Sequence, residues 1–380
     1  MLSDVLKKIQ KEYGDNVVKI GVDDLSVDGI LSLGSPSFDY CVYGGIPEGR
    51  IVEYSGAEGS GKTTTAFMTA ASYIKAELKR NPDNPRSIVL LDNEGTADPV
   101  WAKKLDYDMS ESAPVRTIVI RPEGQSAEEI FDMALDLLKT GEVGLLIFDS
   151  IATLVPMQIS EESMEKQQMG GIAKALTRFA NTAIGLLRKY KATLIAINQV
   201  RENIEGYGPA LITPGGRSFK HACSMRLMFK RGDFFDEEGN ILKSSAESPA
   251  GHIIEVAILK TKTCKWDRKI GYMHLNYVKG VDVLQDTIDV AIHLNLISQL
   301  NQMTFGIMGE NGEVVQSIKG RKNIKPYFEE HLDEWKKLYS TIYDKLTQKD
   351  DPYVIAFNKM LESHIQEHFE GIDLVSGSED

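Results

Sequence analysis

The chain has 380 residues, of which 42% are hydrophobic and 26% charged, and its formal net charge is -12. This composition is typical of a globular protein with one large domain and one or two small ones, and it excludes collagenous, disordered and disulfide-rich classes. The negative charge disfavours a uniformly basic nucleic-acid coat, but it allows a local basic channel because salt screens charges beyond about 10 Å.

The three cysteines, Cys41, Cys223 and Cys264, are widely spaced and odd in number. This spacing argues against a disulfide framework and against a cysteine-rich metal site. The sequence therefore predicts a protein of the reducing cytoplasm.

Residues 1–35 are predicted to form a short amphipathic helix followed by a polar segment. Val5, Ile9 and Tyr13 recur at helical spacing, and glycine and serine interrupt the sequence after them. The N-terminus lacks the apolar core of a signal peptide, and no apolar run is long enough to span a bilayer, so we expect no membrane partner. The helix alone buries little surface and is expected to pack on another body.

Residues 36–282 alternate apolar runs of strand length with helical stretches, which predicts an α/β domain with a mostly parallel central sheet. Its segment GAEGSGKTT contains the full G-x-x-x-x-G-K-[ST] pattern between a predicted strand and a predicted helix. In such a loop the backbone N–H groups face one anion at a helix N-terminus. The alternative is a chance glycine-rich turn.

The phosphate loop predicts ATP and Mg²⁺ as cofactors, with Lys62 on the β and γ phosphates and the Thr63 hydroxyl on the metal. The residues predicted to bind the nucleotide here are Gly56, Ala57, Glu58, Gly59, Ser60, Gly61, Lys62, Thr63 and Thr64.

Three later apolar runs end in polar residues, and the carboxyl ends of parallel strands open on the edge where the phosphate loop lies. Asp149 is predicted to be the carboxylate that assists Mg²⁺ binding. Glu94, two residues beyond Asp92, is predicted to orient and deprotonate an attacking water, and Gln199 to sense the γ-phosphate. The alternative is that these side chains only satisfy loop backbone groups.

Residues 283–345 predict a small α+β domain. VLQDTIDVAIHLNLI has a helical pattern, and Glu310-Asn311-Gly312 suggests a hairpin turn. Residues 346–380 are charge-rich and helical, and the final GIDLVSGSED is expected to be a disordered acidic tail.

In combination, these motifs resemble the bacterial RecA recombinases and their phage-encoded relatives. The resemblance covers nearly the whole chain except the tail, and its segments occur in the family's order: SFDYCVYGGIPEGRIVEYSGAEGSGKTT, LLDNEGTADPVWAKKLDYD, LLIFDSIATLVP, QQMGGIAKALTR, LIAINQVRENI, TPGGRSFKHACSMRL and LKTKT.

The resemblance implies a RecA-like ATPase core with an N-terminal helix arm that docks on the next subunit. It implies a DNA-dependent ATPase that forms a helical filament on single-stranded DNA and pairs it with homologous double-stranded DNA. Recombination, DNA repair and the SOS response would be its setting, with loader or single-strand-binding proteins as further partners.

The resemblance also assigns site residues. Glu94 is similar to the family's catalytic carboxylate, and Gln199 to its γ-phosphate switch. Asp98 and Trp101 fall where the family contacts and stacks on adenine; Trp replaces the usual Tyr and keeps an aromatic face. A core tryptophan is the alternative reading of Trp101.

Two segments resemble the family's DNA-binding loops, the first near residues 157–169 and the second after Gln199. Without the resemblance, the second is a mobile surface loop. The residues implied to bind DNA are Met169, Gly170, Gly171, Lys174, Arg178, Arg201, Ile204, Gly215, Gly216, Arg217 and Lys220. Asn181 and His221 depart from the family, which usually has a basic residue and Phe there.

In HIIEVAILKTK, strand alternation places Ile254, Val256, Ile258, Lys260 and Lys262 on one face. By resemblance, the two lysines are catalytic and reach the ATP of the neighbouring subunit; a simple exit of the strand from the core is the alternative. Two other functions stay open: a nucleotide switch that binds protein partners without DNA, and a hexameric ring motor on the same core.

Overall fold

The computed structural model describes residues 2–13, 29–157, 164–202, 211–268, 270–309 and 311–347. Its helices are α1 (Leu2–Tyr13), α2 (Pro36–Cys41), α3 (Lys62–Arg80), α4 (Pro99–Lys104), α5 (Ala127–Lys139), α6 (Met164–Tyr190), α7 (Gly216–Ala222), α8 (Val283–His293), α9 (Ile324–Glu330) and α10 (Leu332–Thr347). Within these ranges, no helix combines the length and the apolar character needed to cross a membrane.

The strands are β1 (Ile30–Leu31), β2 (Ile46–Pro47), β3 (Ile51–Gly56), β4 (Ser87–Asp92), β5 (Thr117–Ile120), β6 (Val143–Asp149), β7 (Thr193–Gln199), β8 (Arg201–Glu202), β9 (Leu211–Ile212), β10 (Met225–Phe235), β11 (Ile241–Leu242), β12 (Gly251–Thr261), β13 (Ile270–Asn276), β14 (Gly280–Val281), β15 (Ile297–Asn301), β16 (Thr304–Met308) and β17 (Val314–Lys319).

A large sheet dominates the first part of the chain, in the order β14-β13-β12-β10-β3-β7-β6-β4-β5, with β11 paired to β10. The pairings from β10 through β3, β7, β6 and β4 to β5 are parallel. The pairings of β11, β12, β13 and β14 are antiparallel. This sheet confirms the predicted α/β class with a mostly parallel centre.

The central strands are buried on both faces, as their continuous apolar runs require. In β6, Leu145 and Ile147 join one hydrophobic cluster with α3, whereas Leu146 and Phe148 join a second cluster with α5, α6 and α7. Because helices cover both faces, polar chemistry is left to the strand ends, where the loops open.

The chain divides into two compact units, residues 1–282 and 283–380. In the first unit, β1 pairs with β2, and Leu31 and Leu33 are buried in the α3 cluster. The packed core of this unit therefore includes residues that precede residue 36.

The second unit contains α8, the antiparallel sheet β15-β16-β17, α9 and α10. The predicted helix is α8, and the predicted hairpin joins β16 to β17, where Gly312 has a φ of 81°. Glu310 and the predicted acidic tail lie outside the described residues.

Candidate functional site

The phosphate loop connects β3 to α3 with the backbone that the motif predicted. Gly61 lies immediately before α3 with a φ of 87°, a left-handed conformation that favours glycine. A Cβ at Gly61 would also lie 2.2 Å from Cδ1 of Ile254 on β12. Both the conformation and the space therefore require glycine at the point where the backbone turns toward an anion.

The Lys62 side chain folds back along the phosphate loop. Its Nζ donates to the carbonyl oxygen of Ala57 at 2.6 Å. Burial lowers the pKa of Lys62, and the charges of Asp149, Glu94 and Glu58 oppose this shift. A cation is thus held over the loop among carboxylates, where phosphate oxygens could replace its carbonyl partner.

Thr63 and Asp149 meet at the edge of the sheet. The Thr63 hydroxyl donates to Asp149 Oδ2 at 2.7 Å. Burial raises the pKa of Asp149 to about 6; the Thr63 hydrogen bond lowers it, and Glu94 and Asp92 raise it further. A hydroxyl and a buried carboxylate this close are suitable oxygen donors for Mg²⁺.

We expect Asp149→Asn to raise the melting temperature of the nucleotide-free protein at pH 7.5 and to weaken Mg²⁺-dependent ATP binding. The raised pKa of Asp149 means that the folded protein binds a proton more readily than the unfolded chain between about pH 4 and pH 6. The stability that protonated Asp149 contributes is therefore lost as the pH rises through that window. The buried charge then costs on the order of 2 kcal/mol. Thermal unfolding between pH 4 and pH 8 without Mg²⁺ checks this: a gain at pH 7.5 that shrinks toward pH 4 is expected, and a pH-independent difference contradicts it.

Glu94 lies within hydrogen-bond reach of the ends of two other strands. Its Oε1 accepts from the Ser150 hydroxyl at 2.5 Å and from Gln199 Nε2 at 2.9 Å. Asp92, by contrast, accepts from the backbone N–H groups of Thr96 and Ala97 and from Arg121. The structure thus separates the two acids: Asp92 holds its loop, and the exposed Glu94 contacts Gln199.

The two predicted adenine contacts lie at the start of α4. Asp98 caps the helix by accepting from the Val100 N–H at 2.8 Å. Trp101 packs partly against the α3 cluster, and its Nε1 donates to the Thr64 hydroxyl at 3.3 Å. The indole therefore lies partly in the core and also contacts the phosphate-loop helix, and its stacking on adenine stays a prediction.

Tyr277, which the sequence did not single out, begins the turn between β13 and β14, and its hydroxyl lies 3.0 Å from His252 Nδ1. The turn passes beside α4, since a Cβ on Gly280 would lie 3.4 Å from the Lys104 carbonyl oxygen. Tyr277 is 42% exposed.

A basic groove lies between α6 and α7. It has a volume of about 670 Å³ and is lined by Lys174, Arg178, Asn181, Gly216 and Arg217, among others. Gly216 has a φ of 74°, and a Cβ there would lie 3.1 Å from the Ala173 Cβ, so glycine lets α7 approach α6 closely. The structure therefore brings predicted DNA-binding residues of α6, which follows the first candidate loop, and of α7, at the end of the second, to one surface.

The other predicted DNA residues are distributed differently. Gly171 lies against Pro156, where an added Cβ would be 2.9 Å from the Pro156 Cβ. Arg201 is exposed on β8, which pairs with β9. Lys220 is half-buried and does not line the basic groove; burial lowers its pKa, and so does the neighbouring charge of Arg226. Met169 and Gly170 lie in α6, Gly215 is the residue before α7, and Ile204 is outside the described residues.

The predicted alternation of β12 is wrong at its end. Leu227 pairs with Ile258, but the next residue back, Arg226, pairs with Lys260, so Leu259 forms a β-bulge. Ile254, Val256 and Ile258 pack in the α3 cluster, whereas Lys260 and Lys262 turn to α7. Lys260 Nζ donates to the carbonyl oxygens of Lys220 and His221, and Lys262 Nζ donates to that of His221 at 2.9 Å.

The comparisons with known proteins agree with this geometry. A family model for the RecA N-terminal domain matches residues 1–282. The chain is 32% identical to Protein RecA of Fusobacterium nucleatum over 301 residues, covering 78% of this chain and 73% of that one. It is 27% identical to Protein RecA of Phytoplasma mali, covering 92% and 94%, and 27% identical to that of Clostridioides difficile, covering 96% and 93%. The chain therefore belongs to the RecA family.

Proposed function

We propose that this protein is an ATP-dependent DNA recombinase. It forms a helical filament on single-stranded DNA, pairs that strand with homologous duplex and hydrolyses ATP in a DNA-dependent manner. The proposal rests on family membership together with one observation: Gln199, the last residue of β7, donates to Glu94 and directly precedes the second candidate DNA loop. A single side chain thus connects the nucleotide edge to the candidate DNA loop.

The residues at this edge have complementary roles in the proposed reaction. Bound Mg²⁺ would neutralise charge on the phosphate oxygens. Lys62 binds and orients the phosphates, while Asp149 and Thr63 hold the metal. Glu94 orients the attacking water and accepts its proton. Gln199 senses the γ-phosphate by giving up its hydrogen bond to Glu94 for one to the phosphate. This movement changes the stem of the candidate DNA loop.

Steady-state ATP hydrolysis with and without long single-stranded DNA tests this function, alongside formation of joint molecules between that strand and homologous duplex. DNA-stimulated hydrolysis and joint molecules are the expected results. Hydrolysis that ignores DNA, with no joint molecules, would favour the nucleotide switch. DNA-stimulated hydrolysis with strand separation and no pairing would favour the ring motor.

We expect Arg178→Ala and Arg217→Ala each to weaken binding of single-stranded DNA and to reduce the slope of log K against log salt by about one. Both side chains line the basic groove, so each loss removes one phosphate contact. Binding measured at several salt concentrations and on several sequences checks this. Lys189→Ala, which removes a cation near the other end of α6, is the control and should leave the slope unchanged. A loss confined to one DNA sequence would contradict backbone binding.

A further inference from the structure

A buried ionic network joins the two ends of the second candidate DNA loop. Glu53, in the middle of β3, has a fully buried side chain. It accepts from Asn198 Nδ2 at 2.8 Å through one oxygen and from Arg226 Nε through the other. Arg226 Nη2 donates to the Thr213 hydroxyl at 3.1 Å. One carboxylate thus connects the residue before Gln199 to the segment that precedes α7.

Asn198 makes the same connection independently. Its Nδ2 also donates to the Pro214 carbonyl oxygen at 3.1 Å. Both partners are acceptors, so the amide nitrogen must face them, and Oδ1 is left buried with no hydrogen-bond partner in the described part of the chain. The Asn198 amide keeps this orientation although its own oxygen lacks a hydrogen bond. This indicates that the connection from Asn198 to Pro214 is a specific feature of the fold.

The network also extends to Lys260, near the end of β12. In the sheet, Glu53 pairs with Arg226 on β10, and Arg226 pairs with Lys260 on β12. The β-bulge at Leu259 sets the latter pairing, and Lys260 then contacts the last carbonyls of α7. Glu53, Arg226 and Lys260 therefore lie in one row across β3, β10 and β12, and Asn198 and Thr213 from the two loop stems hydrogen-bond to Glu53 and Arg226.

A buried ion pair is weak evidence for stability, because desolvation of the two charges offsets most of their attraction. Apolar side chains would fill this part of the sheet equally well. The network is better explained by a role in fixing the positions of chain segments, since each of its charged groups holds a different segment.

We propose that Glu53 is a positioning residue that, with Arg226, fixes both stems of the second candidate DNA loop and the Lys260 end of β12 relative to the strand entering the phosphate loop. This inference rests on the proposed function, in that it makes Glu53 necessary for DNA to stimulate hydrolysis. Glu53 is not expected to touch nucleotide or DNA.

The test is Glu53→Gln in the full-length protein. Glutamine keeps the shape but offers one acceptor oxygen, so either Asn198 or Arg226 loses its partner. The matched control is Glu77→Gln, because Glu77 is an equally buried carboxylate that pairs with Arg86 at 2.9 Å between α3 and β4. Thr213→Val is a milder second variant that removes only the hydroxyl accepting from Arg226.

Two readouts are combined. We expect Glu53→Gln to lose about tenfold or more of the DNA-stimulated kcat, with the KM for ATP within about twofold, because the change leaves the nucleotide contacts in place. We also expect the backbone N–H groups of residues 211–213, 215 and 216 to exchange hydrogen about tenfold faster without any nucleotide or DNA; Pro214 has no N–H. Thr213→Val should change both in the same direction to a smaller extent, and Glu77→Gln should change neither.

Unchanged exchange at residues 211–216 in both Glu53→Gln and Thr213→Val overturns the inference, as does an equal loss of DNA stimulation in Glu77→Gln. If the wild-type protein shows no DNA stimulation, the proposed function fails. The exchange measurement then decides the positioning role of Glu53 by itself, so the two failures are distinguishable.

Discussion

Glu94→Gln is expected to abolish ATP hydrolysis while leaving Mg²⁺-ATP binding nearly intact. The carbonyl oxygen of glutamine can replace Oε1 and keep the hydrogen bonds from Ser150 and Gln199. The amide cannot accept a proton from water, so kcat should fall by about 10²- to 10⁴-fold. Single-turnover hydrolysis measures the chemical step, and equilibrium binding of a fluorescent ATP analogue measures affinity.

The control for Glu94→Gln is Glu111→Gln, the same change at an exposed glutamate between α4 and β5. It should keep wild-type hydrolysis. If Glu94→Gln lowers nucleotide affinity as much as kcat, Glu94 belongs to binding and another group activates water. If hydrolysis persists at more than a tenth of the wild-type rate, the assignment of Glu94 as the proton acceptor is wrong.

Retained nucleotide binding in Glu94→Gln would also separate the response of Gln199 to ATP from ATP hydrolysis. Gln199 contacts the same oxygen that glutamine preserves, so Gln199 should still respond to ATP and support DNA binding. We therefore expect the variant to hold DNA longer in the presence of ATP, because under the proposed function hydrolysis no longer returns the protein to a state of low DNA affinity.

Much of the nucleotide edge could be predicted from the sequence because its signals are local. Asp149 directly ends an apolar run, and parallel strands bring such ends to one edge whatever the details of packing. The Thr63–Asp149 and Glu94–Gln199 contacts are consequences of that topology. The phosphate loop itself needs only a strand, a glycine turn and a helix in sequence.

The remaining features depend on register between distant segments. Alternation along β12 cannot reveal the bulge at Leu259, because the bulge is set by pairing with β10. Glu53 stands within an apolar strand, IVEYSG, and its partner Arg226 comes from a strand that adds to the sheet much later in the chain. A charge inside a predicted buried strand was the only local signal, and it does not identify the partner.

The positions of Lys260 and Lys262 define a second strong test. Both ammonium groups cap the last carbonyls of α7, so in this arrangement they also hold the helix that follows the DNA loop. To reach the phosphate of a neighbouring subunit they must leave these carbonyls. Loss of either lysine could therefore act through α7 or through the neighbouring nucleotide, and a single variant cannot distinguish these two effects.

Mixing two inactive variants makes the distinction. Lys262→Ala alone is expected to lower DNA-stimulated hydrolysis by about 10²-fold or more, as removal of a cation supplied in trans does, while still binding ATP. Lys62→Ala should also be inactive, because its own phosphate loop fails. In a mixed filament, an intact phosphate loop meets an intact Lys262 at roughly a quarter of the head-to-tail interfaces, so hydrolysis should recover toward that fraction of the wild-type rate. Titrating one variant against the other at constant total protein measures the recovery. Mixtures that stay inactive would mean that Lys262 acts within its own subunit, by holding α7.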